Sequence, residues 1–154
     1  MALKGDRHEF KTDISFFCPS VTERGVVLIF GGTGSGVALD QTSAVVTLPG
    51  TGVTLNLKPA GLLLNDIVSY DVTRQHINFY KDEMRVGGKC TLLQQGWVVT
   101  NMLATGITPV AGDTAYLAPN GLITNSATGT PPAVGKFLSG KDEKGFAKVE
   151  VKLP

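Results

Sequence analysis

Residues 145–153 read GFAKVEVKL, and that short stretch decides how the rest is read. In an extended chain Phe146, Lys148, Glu150 and Lys152 fall on one face, and Ala147, Val149, Val151 and Leu153 on the other. Period two is the period of a strand, because a helix would scatter both sets around its circumference. The stretch therefore predicts a half-buried strand whose charged face is wet.

Working outward, the same texture of short apolar or alternating runs, separated by Gly, Pro, Asn or Asp, covers most of the chain. Lys141–Gly145 is a turn signal before the terminal strand, Val134–Leu138 the strand before it, and 125–132 a Gly/Ser/Thr/Pro loop. A further strand starts at Gly112-Asp113 and runs through Tyr116. Pro119-Asn120-Gly121 then turns into Leu122–Thr124, and Asn-Gly favours the type I′ geometry that matches strand twist. Gly25 introduces Val26, Val27, Leu28, Ile29 and Phe30, a continuous apolar run that suggests a strand buried on both faces.

Val37–Leu39, Ala44–Leu48 and Val53–Leu57 follow as strands, the last two joined into a hairpin by Pro49-Gly50-Thr51-Gly52. From Asp66 the alternation places Val68, Tyr70 and Val72 on a core face and Ile67 on the wet one. Residues 62–86 lack Gly and Pro, yet their β-branched and aromatic content favours strands, with a short helical turn near Lys81–Met84. Lys89–Leu93 and Trp97–Thr100 form a hairpin around Gln94-Gln95-Gly96, with Trp97 in the core. The expected architecture is an all-β, antiparallel β-sandwich or barrel of jelly-roll or β-tulip-like kind, with an extended N-terminal arm.

The arm is residues 1–24 and the β-rich core 25–154. The first 24 residues mix charges with Phe10, Phe16 and Phe17 and have no sustained period. Phe10, Ile14, Phe16 and Phe17 each gain roughly 1.5–3 kcal/mol on burial, so the arm is expected to bind a neighbour.

A chain of 154 residues fits one domain and hides enough surface to fold without metal or disulfide staples. Fourteen Lys plus Arg against thirteen Asp plus Glu gives a net charge of +1, with the signs interleaved. That excludes the clustered cation excess of a direct nucleic-acid binder. Cys18 and Cys90 are too few for a disulfide framework and read as free thiols. The charged start MALKGDRHEF is not a secretion signal, and Cys90–Gly112, the longest uncharged stretch, is too interrupted for a membrane span.

Chemical motifs fail on inspection. Gly31, Gly32, Thr33, Gly34, Ser35 and Gly36 form a glycine-rich loop, but Val37 and Ala38 stand where a phosphate-binding loop needs Lys and Ser or Thr. The spacing also misses the dinucleotide fingerprint, which leaves the loop as a turn or an interface. His8, His76, Cys18 and Cys90 have no metal-ligand spacing. The carboxylate pairs Asp82-Glu83 and Asp142-Glu143 sit in charge-mixed turns, and Ser35 lacks a nucleophile elbow. No catalytic residue, cofactor or metal is expected, and the chain is read as a non-enzyme. A trimeric dUTPase is a weak alternative, because its glycine-rich C-terminal motif has no counterpart here. A glycan-binding module, with Trp97 and Tyr116 as stacking platform, is the alternative from another class.

ITPVAGDTAYLAPNGLITN at 107–125, followed by PPAVGKFLSGKDEKGFAKVEVKLP at 131–154, resembles the cement, or head-decoration, proteins of tailed bacteriophages. The shared pattern is an A-G-D-x-x-Y-type strand, a turn plus G-x-I-T, a Pro/Thr-rich loop, V-G-x-x-x-S-G and a terminal G-x-x-x-V-x-V-x-L strand. GVVLIFGGTGSGVALD at 25–40 is similar to the opening strand of such proteins, whereas 62–96 matches the pattern poorly. The resemblance implies a structural protein that is made in the host cytoplasm and becomes part of the virion. It would bind the major capsid protein on the outer surface of an HK97-type shell and stabilise it against internal DNA pressure. It also implies self-association, as a homotrimer first and a homodimer second. No direct nucleic-acid or membrane contact is implied.

Overall fold

The computed structural model describes residues 2–31, 45–52, 56–69 and 82–153. The chain is all-β, and its antiparallel sheet is strongly curled into a half-barrel. The strands are β1 His8–Asp13, β2 Val27–Phe30, β3 Val46–Thr47, β4 Pro59–Leu63, β5 Asp66–Val68, β6 Glu83–Arg85, β7 Leu92–Thr100, β8 Thr114–Leu117, β9 Ile123–Thr124, β10 Ala133–Phe137 and β11 Ala147–Lys152.

The organising strand is β7. One of its edges pairs with β1, from His8↔Trp97 to Asp13↔Leu92. The other edge is shared, because Leu92 and Leu93 pair with β4 while Gln95–Thr100 pair with β11. Two branches leave it, β4-β2-β3 on one side and β11-β10-β8-β9 on the other. The long branch curls back until Ile123 of β9 meets Leu103, in the segment just beyond β7. The interior of this curl is packed by Val98, Ala115, Leu117, Ile123, Val134, Phe137, Val149 and Val151.

The Val26–Ile29 run is buried on both faces as its composition demands. Val27 and Ile29 join the interior cluster, while Val26 and Leu28 join a second one with Phe16, Cys18, Val46, Leu63, Ile67 and Cys90. In the terminal strand Ala147, Val149 and Val151 are buried and Lys148, Glu150 and Lys152 face outward. The Asn-Gly turn between β8 and β9 has φ of 59° at Asn120 and 77° at Gly121, the double positive φ that type I′ geometry requires.

Four expectations are corrected. Residues 92–100 form one continuous strand rather than a hairpin. Gly96 serves a close approach instead of a turn: its φ is +149°, and a Cβ there would overlap the His8 carbonyl oxygen of β1. Because β7 runs straight through, the side chain of Trp97 lands on the outward face, only partly buried, and not in the core. Glu83 and Met84 lie in β6, parallel to β5, where a helical turn was expected. Ile67 is fully buried while Val68 is only half-buried, the reverse of the expected facing, because the second cluster lies on the Ile67 side.

The boundary between arm and core also moves. Ala2, Leu3, Phe16, Cys18 and Thr22 are buried, β1 lies on the central strand, and Leu3 bridges Thr100. Much of residues 2–24 therefore lies on the same body as the sheet, while Phe10, Ile14 and Val21 stay exposed. Of the strand expectations at 37–39, 44–48 and 53–57, only 45–48 and 56–57 are among the described residues. The Pro49–Gly52 hairpin lacks its second strand there for the same reason.

Candidate interaction surface

The four residues expected to seek a neighbour separate into two pairs. Phe16 is buried, and its ring meets Phe30 edge-on with centroids 5.4 Å apart. Phe17 is half-buried, bridges Val45 and Lys89, and carries the Lys89 ammonium over its ring. Phe10 is 75% exposed and Ile14 53%. Val21 at 62% and Phe30 at 46% join them, the first from the aperiodic N-terminal segment and the second from the end of β2. No sequence signal singled out Phe30, whose exposure follows from its position at the end of β2.

In the glycine-rich loop only Gly31 is among the described residues. Its N–H donates to the Val45 carbonyl at 3.1 Å, and a Cβ there would press on the Thr47 side chain. Gly32, Thr33, Gly34, Ser35 and Gly36 lie outside the described residues.

Around β1 the aromatic and charged groups are engaged in order. His8 meets Phe10 edge-on at 4.7 Å and stacks toward Trp97 at 6.5 Å, while the Lys148 ammonium sits 3.6 Å from the indole centroid. Trp97 thus has neighbours of its own and offers no bare stacking platform. Tyr116 lies on β8, with β11 and β10 between it and β7, so three strand spacings, roughly 14 Å along the sheet, separate the two strands. The pair proposed for glycan stacking is not brought together.

Charged side chains form local pairs. Arg7 bonds Glu9 at 2.8 Å, and Arg24 bonds Asp66 at 2.9 Å while lying 3.8 Å from Asp82. The hydrogen bond to Asp66 raises the guanidinium above its ordinary pKa despite partial burial. Asp142 organises the turn before β11 by accepting from the Phe146 and Lys144 N–H groups and from Lys4. Those bonds, the one from Phe146 foremost, hold its carboxyl below the usual range. A hollow of about 220 Å³ is lined by Arg7, Glu9, Asn65, Asp82 and Glu83 together with Leu64, Met84 and Thr91. Among the described residues no three His, Cys, Asp or Glu side chains are grouped as metal ligands would be.

Cys18 and Cys90 are free and buried in the second cluster. Burial first, and the neighbouring Cys18 second, push the Cys90 thiol up from its ordinary 9.0 to about 12. A raised thiol pKa favours the neutral form in the fold, so its stabilisation is complete below pH 9 and is lost as pH rises toward 12. In that window wild type should lose stability relative to Cys90→Ala by up to about 1.4 kcal/mol per pH unit, measured by urea unfolding. An unchanged difference between the two proteins from pH 8 to 11 would contradict it.

No protein-family model matches this chain, and no curated protein matches it. No described helix is long and apolar enough to cross a membrane.

Proposed function

We propose that this chain is a capsid cement protein. It binds the outer surface of an icosahedral shell of HK97-type capsid proteins and stiffens it against internal DNA pressure. The observation that carries the reading is the exposed apolar set Phe10, Ile14, Val21 and Phe30, four of the six large hydrophobic side chains exposed among the described residues, all within the first 30 residues. Each such side chain gains roughly 1.5–3 kcal/mol when fully buried, and a repeating shell sums many modest contacts through effective concentration. The ordered resemblance of residues 107–125 and 131–154 to head-decoration proteins supports the same assignment. Its partners are the major capsid protein and copies of itself, and its place is the outside of the virion. The role is structural and non-enzymatic.

The test is to mix the purified protein with expanded, undecorated capsids and image them. Ordered extra density at local symmetry axes is expected, and Ile14→Asp with Val21→Asp should reduce its occupancy at least tenfold, two buried apolar contacts at roughly 1.5 kcal/mol or more each. Bare capsids at saturating protein would end the reading.

A further inference from the structure

The ladders sort the charges of four strands by face. Residues paired directly across a ladder share a side of the sheet, so two rows cross its outer side: Lys11, Gln95 and Lys152, then His8, Trp97, Glu150 and Lys136. Lys148 belongs to the same side as Glu150 and Lys152. The bulge at Phe10 completes the sorting, since it sets Glu9 opposite Gly96 and Lys11 opposite the adjacent Gln95. An unbulged strand would have kept Glu9 and Lys11 on one face. Here Glu9 turns into the hollow with Asn65 and Glu83, and Lys11 stays on the outer side.

That outer side is bare, and its charges are left unequally engaged. Lys11, Gln95, Lys136 and Lys152 are exposed, and Trp97, Lys148 and Glu150 are half-buried. Both carboxylates on it have partners: Glu150 pairs with Lys136 at 3.3 Å, and Asp13, at the corner, accepts from the N–H and hydroxyl of Ser15. Lys148 rests on the Trp97 ring. Lys11 and Lys152, about two strand spacings or roughly 10 Å apart, take part in no ion pair among the described residues. Phe10 stands beside them, its ring against His8 and three-quarters of its surface in water.

We infer that this outer face docks an extended acidic segment of a partner protein. Charge complementarity chooses the occupant. Cations that lack carboxylates of their own, next to an exposed aromatic ring, match carboxylates flanked by apolar side chains, and complementary charge steers and orients the encounter. Spacing adds a pattern, because same-side residues of any extended chain repeat about every 6.8 Å. A segment lying along β11 therefore meets Lys148, Glu150 and Lys152 in turn, and its own same-side residues match them as acid, base, acid. A nucleic acid fits less well. The indole that would stack a base already has Lys148 on it and His8 beside it, and four lysines accompanied by two carboxylates neutralise few phosphates. The face takes such a segment whether or not the chain decorates a capsid.

The test titrates the isotope-labelled full chain at low salt, followed by amide NMR shifts, with the peptide acetyl-Thr-Glu-Thr-Lys-Thr-Glu-Thr-amide. Its charge-reversed counterpart, with Lys, Glu and Lys in those places, is the control. Shifts should map to Lys11, Gln95, Trp97, Lys136, Lys148 and Lys152, with a Kd on the order of 1 mM. The control should bind at least tenfold more weakly, and salt should weaken the first peptide. Lys11→Glu combined with Lys152→Glu should cost the first peptide about tenfold and favour the control, a reversal that a misfolded variant would not show; circular dichroism checks the fold. No localised shift at about 10 mM peptide, equal binding of the two peptides, or tighter binding of an oligothymidylate to the same residues would overturn the inference. Capsid binding by a protein that ignores both peptides would leave the proposed function standing.

Discussion

Phe137→Ala is expected to cost about 3–5 kcal/mol and to lower Tm by roughly 6–20 °C. Phe137 has no exposed surface and closes the interior of the curl against Val134, Val149 and Val151. Its backbone is held from both directions, since its N–H donates to the Asp113 carbonyl and its carbonyl accepts from Gly112, both at 2.8 Å. The walls around it are strands fixed by ladders on each side, so the space left by the ring collapses little, and the cost lies in the upper part of the range for a large-to-small change. Thermal unfolding followed by near-ultraviolet circular dichroism gives the number. A loss below about 1 kcal/mol would mean that the interior is far less packed than described.

Gly135→Val should also be strongly damaging, though for the opposite reason. A Cβ on Gly135 would overlap the Glu150 carbonyl oxygen of β11, which is backbone and has no rotamer to yield. Gly135 pairs with Ala115 of β8 and Val151 of β11 at a register step in β10, so the strand cannot slide away without breaking two ladders. Overpacking of this kind typically costs about 1–3 kcal/mol and occasionally more, and loss of soluble protein is the expected extreme. Gly50→Ala is the matched control, because nothing lies within 4 Å of its added methyl. Equal denaturation midpoints for Gly135→Val and wild type would refute the packing described for β10.

The two sides of the chain were unequally legible in the sequence, and the reasons are physical. The terminal strand declared itself because one face of β11 is wet, so alternation survives as a signal, and Val26–Ile29 declared itself because both faces are dry. Asn120-Gly121 specified its turn because few residues adopt two positive φ values in succession. Gln94-Gln95-Gly96 misled because a glycine that turns a chain and a glycine that admits a neighbouring backbone look alike. Only the position of the His8 carbonyl distinguishes them. Trp97 was misplaced as a consequence, since its facing depends on whether the strand continues through Gly96. The first 24 residues look aperiodic because their partners are remote, with Phe16 beside Cys90 and Leu3 beside Thr100. Phe10 and Ile14, by contrast, remain in water in the single chain, and no local pattern separated them from Phe16 and Phe17.

The fork at β7 also has a consequence in time. β1 is synthesised first but can dock only after β7 emerges some 85 residues later, since His8 pairs with Trp97 and Asp13 with Leu92. At ribosomal speeds of about 5–20 residues per second that wait lasts roughly 4–17 s. During it both edges of β1 are open, and the side chains of Leu3, Phe16 and Cys18 have no core to enter. Contacts of such long sequence separation form late and slowly, so the beginning of this chain spends its first seconds as the part most available to chaperones and to other nascent copies.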